Sequence, residues 1–388
     1  MDNDIVVRKV NEVYARLVCE KHLAKELSEY FTFFVPGYQF TPAFKNKWWD
    51  GKIRLFNLQT SQIYLSLIPY VKEFCADREY TIEYDYIEDE FSMYHAKKFA
   101  DSLNLHTQGE KIEAEDYQLM AIAHVMQAHR ALFVSPTASG KSLIAYMVFR
   151  QLLDYQKLKG LMIVPSTGLV EQMFSDFKDY SSHNGFDVDS NINRIYNYDG
   201  VEKQTDKALT ISTWQSVYKM PEEYFEQFDY VIGDEAHLFK ADSLVGIMTK
   251  CINAKYRMGM TGTLDGTKTH KLVLEGVFGT QKQFTTTREM MDNKKAAPLD
   301  IKCIILKHSD ERAEQMMKSK YPDEMKYLIL NHQRNKFIRN LALSLDKNVL
   351  ILFQMVDKHG KLLYDMIRTA EKLNGRNVYF IHGKVETE

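Results

Sequence analysis

From residue 115 to about 290, apolar runs of strand length alternate with longer amphipathic stretches. The strand-like runs are RALFVS, GLMIVP, LTIST, DYVIGD and YRMGMT, and the stretches KSLIAYMVFRQLLDYQ and GLVEQMFSDFKDY between them have helical spacing. Continuous apolar strands separated by helices predict a parallel sheet covered on both faces. Residues 1–108 read as a small mixed α/β domain. There ELSEYFTFF turns from helix to strand, KIRLFNLQTSQIYLSLI gives two strand-like runs around a polar turn, and IPYVKEFCADREY is helical. LNLHTQGEKIEAED is polar and predicts a strand-free linker. A second α/β series starts near Pro298 with IKCIIL, a long helix over EMKYLILNHQRNKFIRNLALSL, NVLILFQ, HGKLLYDMIRTAEKL and NVYFIH; three strand-like runs are few for a complete parallel sheet. The expected division is 1–108, 109–292 and 293–388, without internal repeats or low-complexity segments.

Composition changes this picture little. With 45% hydrophobic and 26% charged residues in 388, the chain reads as soluble and of two or three domains. A net charge of −2 excludes no partner, because a local basic groove suffices for nucleic acid. The four cysteines, Cys19, Cys75, Cys251 and Cys303, lie far apart without a C-x-x-C pair, which argues against zinc and a disulfide framework. Neither a signal-peptide core nor a membrane-length apolar run is present, so a cytoplasmic protein is expected, in the host cytoplasm for a phage-encoded chain.

The chemistry concentrates in VSPTASGKSLI. Ser135, Pro136, Thr137, Ala138, Ser139, Gly140, Lys141 and Ser142 form a Walker A loop with one mismatch, serine standing where the first glycine usually does. Backbone N–H groups there can wrap phosphate at the start of a helix. Gly140 allows close approach, Lys141 can reach the β- and γ-phosphates, and Ser142 can offer a hydroxyl to Mg²⁺. YVIGDEAH sets Asp234 and Glu235 at the end of another apolar strand, so both motifs fall on one sheet edge, where ligands of α/β folds bind. Asp234 would hold Mg²⁺ and Glu235 would orient or deprotonate the attacking water. Gln118 in DYQLMAI could pair with the adenine edge. Ser166 and Thr167 in VPSTGLVEQ, with Thr213 and Gln215 in STWQS, could contact a nucleic-acid backbone. Thr261 and Thr263 in GMTGT could sense the γ-phosphate. Taken singly, such Gln and Thr residues are more often solvated or capping; their order along the chain is the signal.

That order resembles superfamily 2 helicases, with motifs I, Ia, II and III on the first of two RecA-like lobes. Asp234-Glu235-Ala236-His237 matches the DEAH spelling, which brings His237 into the candidate site. FQMVDKHGKLL and YFIHGKVETE resemble motif IV and the segment after it. Ahead of the lobes, GYQFTPAFKNKWWDGKIRLFN resembles the N-terminal domain of phage UvsW-type helicases. The resemblance implies a small α/β DNA-binding domain followed by RecA-like parallel-sheet lobes, the second truncated. It also implies an ATP- and Mg²⁺-dependent motor remodelling branched or forked DNA by fork regression, branch migration and D-loop or R-loop unwinding. Recombination or single-strand-binding proteins are the partners it admits. Motif VI, whose arginine finger is worth about 10³–10⁵ in turnover, has no Q-x-x-G-R-x-x-R match here. The alternatives are a DEAH-type RNA helicase and a nucleic-acid-binding fragment that holds ATP without turnover.

In the N-terminal stretch, Lys45, Lys47, Lys52 and Arg54 surround Trp48 and Trp49 and are candidate DNA contacts. The tryptophans are expected in the core of a hairpin turning at Asp50-Gly51, since large aromatics are mostly buried. Lys203, Lys207 and Lys240 are either further contacts or solvated surface.

Overall fold

Alternation within each apolar strand decides which face of the larger sheet a side chain covers. The computed structural model describes residues 3–84, 89–196, 206–239, 241–264, 266–370, 373 and 375–382. Seven parallel strands lie in the order Ile192–Ile195, Leu209–Thr213, Gly160–Val164, Tyr230–Asp234, Tyr256–Thr261, Arg130–Val134, Gln281–Lys282. Ala131, Phe133, Met162, Val164, Ile232 and Met258 point to one face, where helices Asp116–Ala128, Lys141–Gln156 and Thr167–Tyr180 cover them. Leu132, Leu161, Ile163 and Val231 point to the other, against helices Asp242–Lys250 and Lys268–Phe278. The five expected strands are all present. The two that sequence reading missed are the edges, Ile192–Ile195 and Gln281–Lys282: the first is half polar and the second is only two residues long.

The N-terminal domain carries a five-stranded sheet in the order Phe56–Asn57, Gln62–Tyr64, Tyr14–Cys19, Ile5–Lys9, Ile82–Glu83, antiparallel except for the last pair. Its core of Leu17, Leu27, Phe31, Phe56, Val71 and Phe74 also takes in Leu272 and Val273 from helix Lys268–Phe278. That helix therefore belongs to two cores. Gly276 lets it approach Tyr64, whose ring would stand 2.7 Å from an added Cβ.

Residues 103–116 are not a strand-free linker. His106–Thr107 pairs with Glu110–Lys111, and Gln108 and Gly109 both have positive φ, 51° and 82°, as a two-residue type I′ turn requires. Leu103 and Leu105 are buried in the core of the larger sheet together with Ala96 and Phe99 of helix Met93–Ser102. That core thus starts ahead of residue 109.

Residues 299–388 form a separate unit. Its helices are Asp310–Met317, Tyr321–Leu330, His332–Ser344 and Lys361–Arg368. The long helix expected over 324–345 is broken at Asn331, whose Oδ1 caps the second half by accepting the Arg334 N–H at 2.9 Å. None of the runs IKCIIL, NVLILFQ and NVYFIH is a strand among the described residues. Ile305, Leu350 and Leu352 are exposed by 80–84%. A helix satisfies its own backbone, whereas a strand exists only through its neighbours. Among the described residues no helix is long and apolar enough to cross a membrane.

Candidate nucleotide site and nucleic-acid interface

The parallel register brings the strand ends to one edge: Val134 lies opposite Thr261, Val164 opposite Thr213, and Asp234 opposite Met260. The loop 135–140 leaves this edge and enters helix Lys141–Gln156 through Gly140, at φ 72°. The positive φ favours glycine at 140, and an added Cβ, 2.5 Å from Gln118 Nε2, would also displace that amide. Ser135 is not among the residues with positive φ. Its N–H donates to the Thr261 carbonyl at 2.8 Å, and its Oγ lies 2.6 Å from Ser139 Oγ. The serine thus braces the loop without strain. Pro136 is buried, its carbonyl accepting the Ser139 N–H, while Thr137 and Ala138 form the exposed tip.

Gln118 is buried and spent on the protein itself. Its Oε1 accepts the Glu115 N–H at 2.9 Å and its Nε2 donates to the Ser139 carbonyl at 3.0 Å. Tyr117 donates to the same carbonyl at 3.1 Å. In this geometry Gln118 ties the phosphate loop to helix Asp116–Ala128 rather than presenting a free amide edge. Lys141 Nζ lies 3.5 Å from the Ser135 carbonyl at the start of the loop. Ser142 Oγ is 2.8 Å from the Tyr180 hydroxyl. It also bonds Asp176, whose carboxyl burial raises above its usual range. Nothing in the sequence pattern pointed to Tyr180 or Asp176; Tyr117 could have been suspected as Gln118's neighbour.

Asp234 is buried, its Oδ1 has no hydrogen-bond partner, and burial raises its carboxyl above the ordinary value. The Glu235 N–H and the Lys141 ammonium pull the other way. Glu235 itself sits in the left-handed region, at φ 49° and ψ 51°, uncommon for a non-glycine and typical of strained functional positions. The Thr261 hydroxyl, fully buried, donates to the Thr263 carbonyl at 3.0 Å. Its oxygen is therefore the acceptor for His237 Nδ1–H at 2.9 Å, and that N–H also faces Glu235 Oε2 at 3.2 Å. Glu235, His237, Thr261 and Thr263 form one chain of contacts across two strands.

The expected nucleic-acid contacts divide. Gln215, Ser166 and Thr167 are exposed at the same sheet edge, Ser166 capping helix Thr167–Tyr180. Thr213 is buried and bonds Ser216 Oγ at 2.8 Å, so it shapes the turn rather than reaching outward. In the N-terminal domain Lys45 and Lys47 are exposed, Lys52 covers the Phe34 ring at 4.8 Å, and Arg54 is forked onto Asp50. The tryptophans are not core: Trp48 is 81% exposed, and Trp49 is half-buried with Nε1–H donating to the Lys52 carbonyl at 2.9 Å. Nor is Asp50-Gly51 a hairpin turn. Strands Thr32–Phe34 and Lys52–Arg54 pair across the whole loop 35–51, which holds its own helical turns. Lys203 and Lys240 lie outside the described residues, and Lys207 Nζ donates to the Asp189 carbonyl at 2.6 Å.

A Walker A-type loop at a helix N-terminus, an Asp-Glu pair on an adjoining strand end and a threonine turn on the next make this lobe that of a superfamily 2 helicase ATPase. Residues 111–266 match the family profile "Type III restriction enzyme, res subunit", and residues 4–85 match "DNA helicase UvsW, N-terminal". The chain is 30% identical to the ATP-dependent DNA helicase uvsW of Enterobacteria phage T4, over 99% of this chain and 76% of the phage protein. It is 29% identical to the DNA 3'-5' translocase XPB2 of Sulfurisphaera tokodaii over 42% of this chain and 34% of that protein. A crystal structure of T4 UvsW superposes with a TM-score of 0.65, covering 95% of this chain and 74% of the other at 30% identity. The chain belongs to the UvsW family of DNA helicases and is an ATP hydrolase of superfamily 2.

Proposed function

We propose that the chain uses Mg²⁺-bound ATP to move on and remodel branched or forked DNA, regressing forks, migrating branches and unwinding D-loops and R-loops in the host cytoplasm. The observation that carries the nucleotide part is the buried, partnerless Asp234 Oδ1 beside Lys141. A buried carboxylate with one oxygen left unpaired is costly unless a cation joins it. Mg²⁺ takes few protein oxygens and keeps waters and phosphates as its other ligands, which suits a site offering Asp234 and the Ser142 hydroxyl. Bound there, it would neutralise charge on the β- and γ-phosphates. Lys141 would neutralise further charge, and the loop's N–H groups would orient the phosphates. Glu235 would align the attacking water and take its proton, held in place by His237 and Thr261. Thr263 would report the γ-phosphate state to the helix that follows. Exposed Ser166, Thr167 and Gln215 at the same edge, with Lys45, Lys47, Lys52 and Arg54 in the N-terminal domain, would meet the DNA backbone.

The test is steady-state ATP hydrolysis with and without a forked duplex, repeated with RNA. Forked DNA is expected to stimulate turnover more than RNA. Glu235→Gln should cut turnover by at least about a hundredfold, and Lys141→Ala should abolish it while duplex binding persists. Unchanged hydrolysis in either variant would overturn the site, and stronger stimulation by RNA would overturn the DNA reading.

A further inference from the structure

We propose that the loop 35–51 of the N-terminal domain is a seat for an unpaired DNA base, with Trp48 as the stacking surface and Lys45 and Lys47 receiving the flanking phosphates. The inference rests on the reading that this domain binds DNA and adds which form of DNA it takes. The loop bears an open concavity of 560 Å³ lined by Phe44, Lys45, Lys47, Trp48 and Trp49, with Gln39 and Asp50 completing its wall, a volume within the range of about 300–1,000 Å³ usual for small-ligand sites.

The loop is built rigidly. Its ends are tied by the Val35 N–H to the Gly51 carbonyl at 2.9 Å, and Trp48 N–H donates to the Ala43 carbonyl at 2.9 Å. Thr41 caps the turn Pro42–Lys45, and Lys47 holds a positive φ of 60°. The Tyr38 ring lies so close over Gly51 that a Cβ there would come within 2.3 Å of it. Tyr38 in turn stacks on Phe34 at 4.8 Å and meets Phe44 edge-on at 4.7 Å. This network fixes Trp49 inward and leaves Trp48 outward, 81% exposed, with Phe40 exposed by 78%. A large aromatic held in water by a braced backbone gives up hydrophobic stabilisation, and a flat π-face offered to a base would recover it.

Charge selects the occupant. Among the described residues Lys45 and Lys47 have no ion-pair partner, whereas the one acid of the loop, Asp50, is neutralised by Arg54. With Asp50 in its wall paired to Arg54, the concavity presents net positive charge from Lys45 and Lys47 beside an aromatic face, the combination that recognises a splayed nucleotide rather than a stacked duplex.

The experiment measures binding of a labelled oligothymidylate and of a blunt duplex of equal length by fluorescence anisotropy, on the full chain without nucleotide. Trp48→Ala is expected to weaken single-strand binding about tenfold to a hundredfold, the range for one lost base–aromatic stack, and to change duplex binding by less than about threefold. Trp48→Phe, which keeps a π-face, should recover most of the loss. DNA-free ATP hydrolysis and the thermal melt of the variants should match the parent, since Trp48 lies on the surface. Equal losses on both DNAs, no loss on either, or a phenylalanine variant as weak as the alanine one would overturn the proposal. Because binding is read without ATP, the outcome is independent of whether the lobe turns over nucleotide, and a negative result here would leave the motor reading standing.

Discussion

Ionised Asp234 works against folding, being buried with one carboxylate oxygen unpaired. Burial raises its carboxyl above the value in the unfolded chain, so the folded protein holds the proton more tightly. The penalty is absent below the ordinary carboxylate value of 3.8 and is felt as pH rises through the raised one. Asp234→Asn removes the charge but keeps the shape. The variant is expected to melt at a higher temperature than the parent at neutral pH without nucleotide, with the difference vanishing as pH falls toward 3.8. Its turnover should fall by at least about a hundredfold. A lower melting temperature at neutral pH would show that the carboxylate is satisfied by contacts inside the fold. The mismatched Ser135 illustrates the same scale differently: its backbone needs no positive φ, so a hydroxyl replaces glycine and gains a bond to Ser139.

Among the elements, helix Lys268–Phe278 has the most consequences. It follows the Thr261–Thr263 turn, covers the larger sheet with Leu274, Val277 and Phe278, and gives Leu272 and Val273 to the N-terminal core. Glu275, fully buried, locks it: Oε2 accepts the Tyr70 hydroxyl at 2.6 Å and Oε1 accepts the Gln281 N–H at 2.8 Å. Burial, with Glu275 second, keeps the Tyr70 hydroxyl protonated far above its ordinary range. Tyr70→Phe should cost about 1–3 kcal/mol, the penalty of leaving a buried charged acceptor half-satisfied, read as a lower urea midpoint. Amide exchange should quicken in both the helix and strand Gln62–Tyr64. An unchanged midpoint would mean that water replaces the lost hydroxyl. The helix was not singled out from sequence, because KTHKLVLEGVF gives one apolar stripe and says nothing of two separate cores sharing it.

On the scale of the whole molecule, residues 1–298 and 299–388 form two units. All nucleotide-site candidates and both matched family profiles fall in the first. A polypeptide of residues 1–298 is expected to melt cooperatively within a few degrees of the main transition of the full chain, as measured by calorimetry. The full chain should also bind more of a hydrophobic dye than 1–298 does, through exposed Ile301, Ile305, Leu350 and Leu352. A large drop in melting temperature on removal of 299–388 would contradict the division.

Sequence alone determined the motor class, since loop, acidic pair and threonine turn are local patterns whose order along the chain survives without coordinates. It also determined the five central strands, because strands buried on both faces carry dense apolar runs, interrupted in Leu209–Thr213 only by small buried hydroxyl residues. Tertiary structure decided what local pattern cannot carry. Which aromatic of the Trp48–Trp49 pair is buried depends on a loop braced from Gly51 and Tyr38. Whether 103–116 is a linker or a hairpin depends on the core that receives Leu103 and Leu105. Whether the apolar runs after 298 become strands depends on neighbours to pair with. The order of motifs marked Gln118 and Thr213, but the contacts that hold them inward came from partners brought close by the fold, and sequence spacing held no signal for Tyr180.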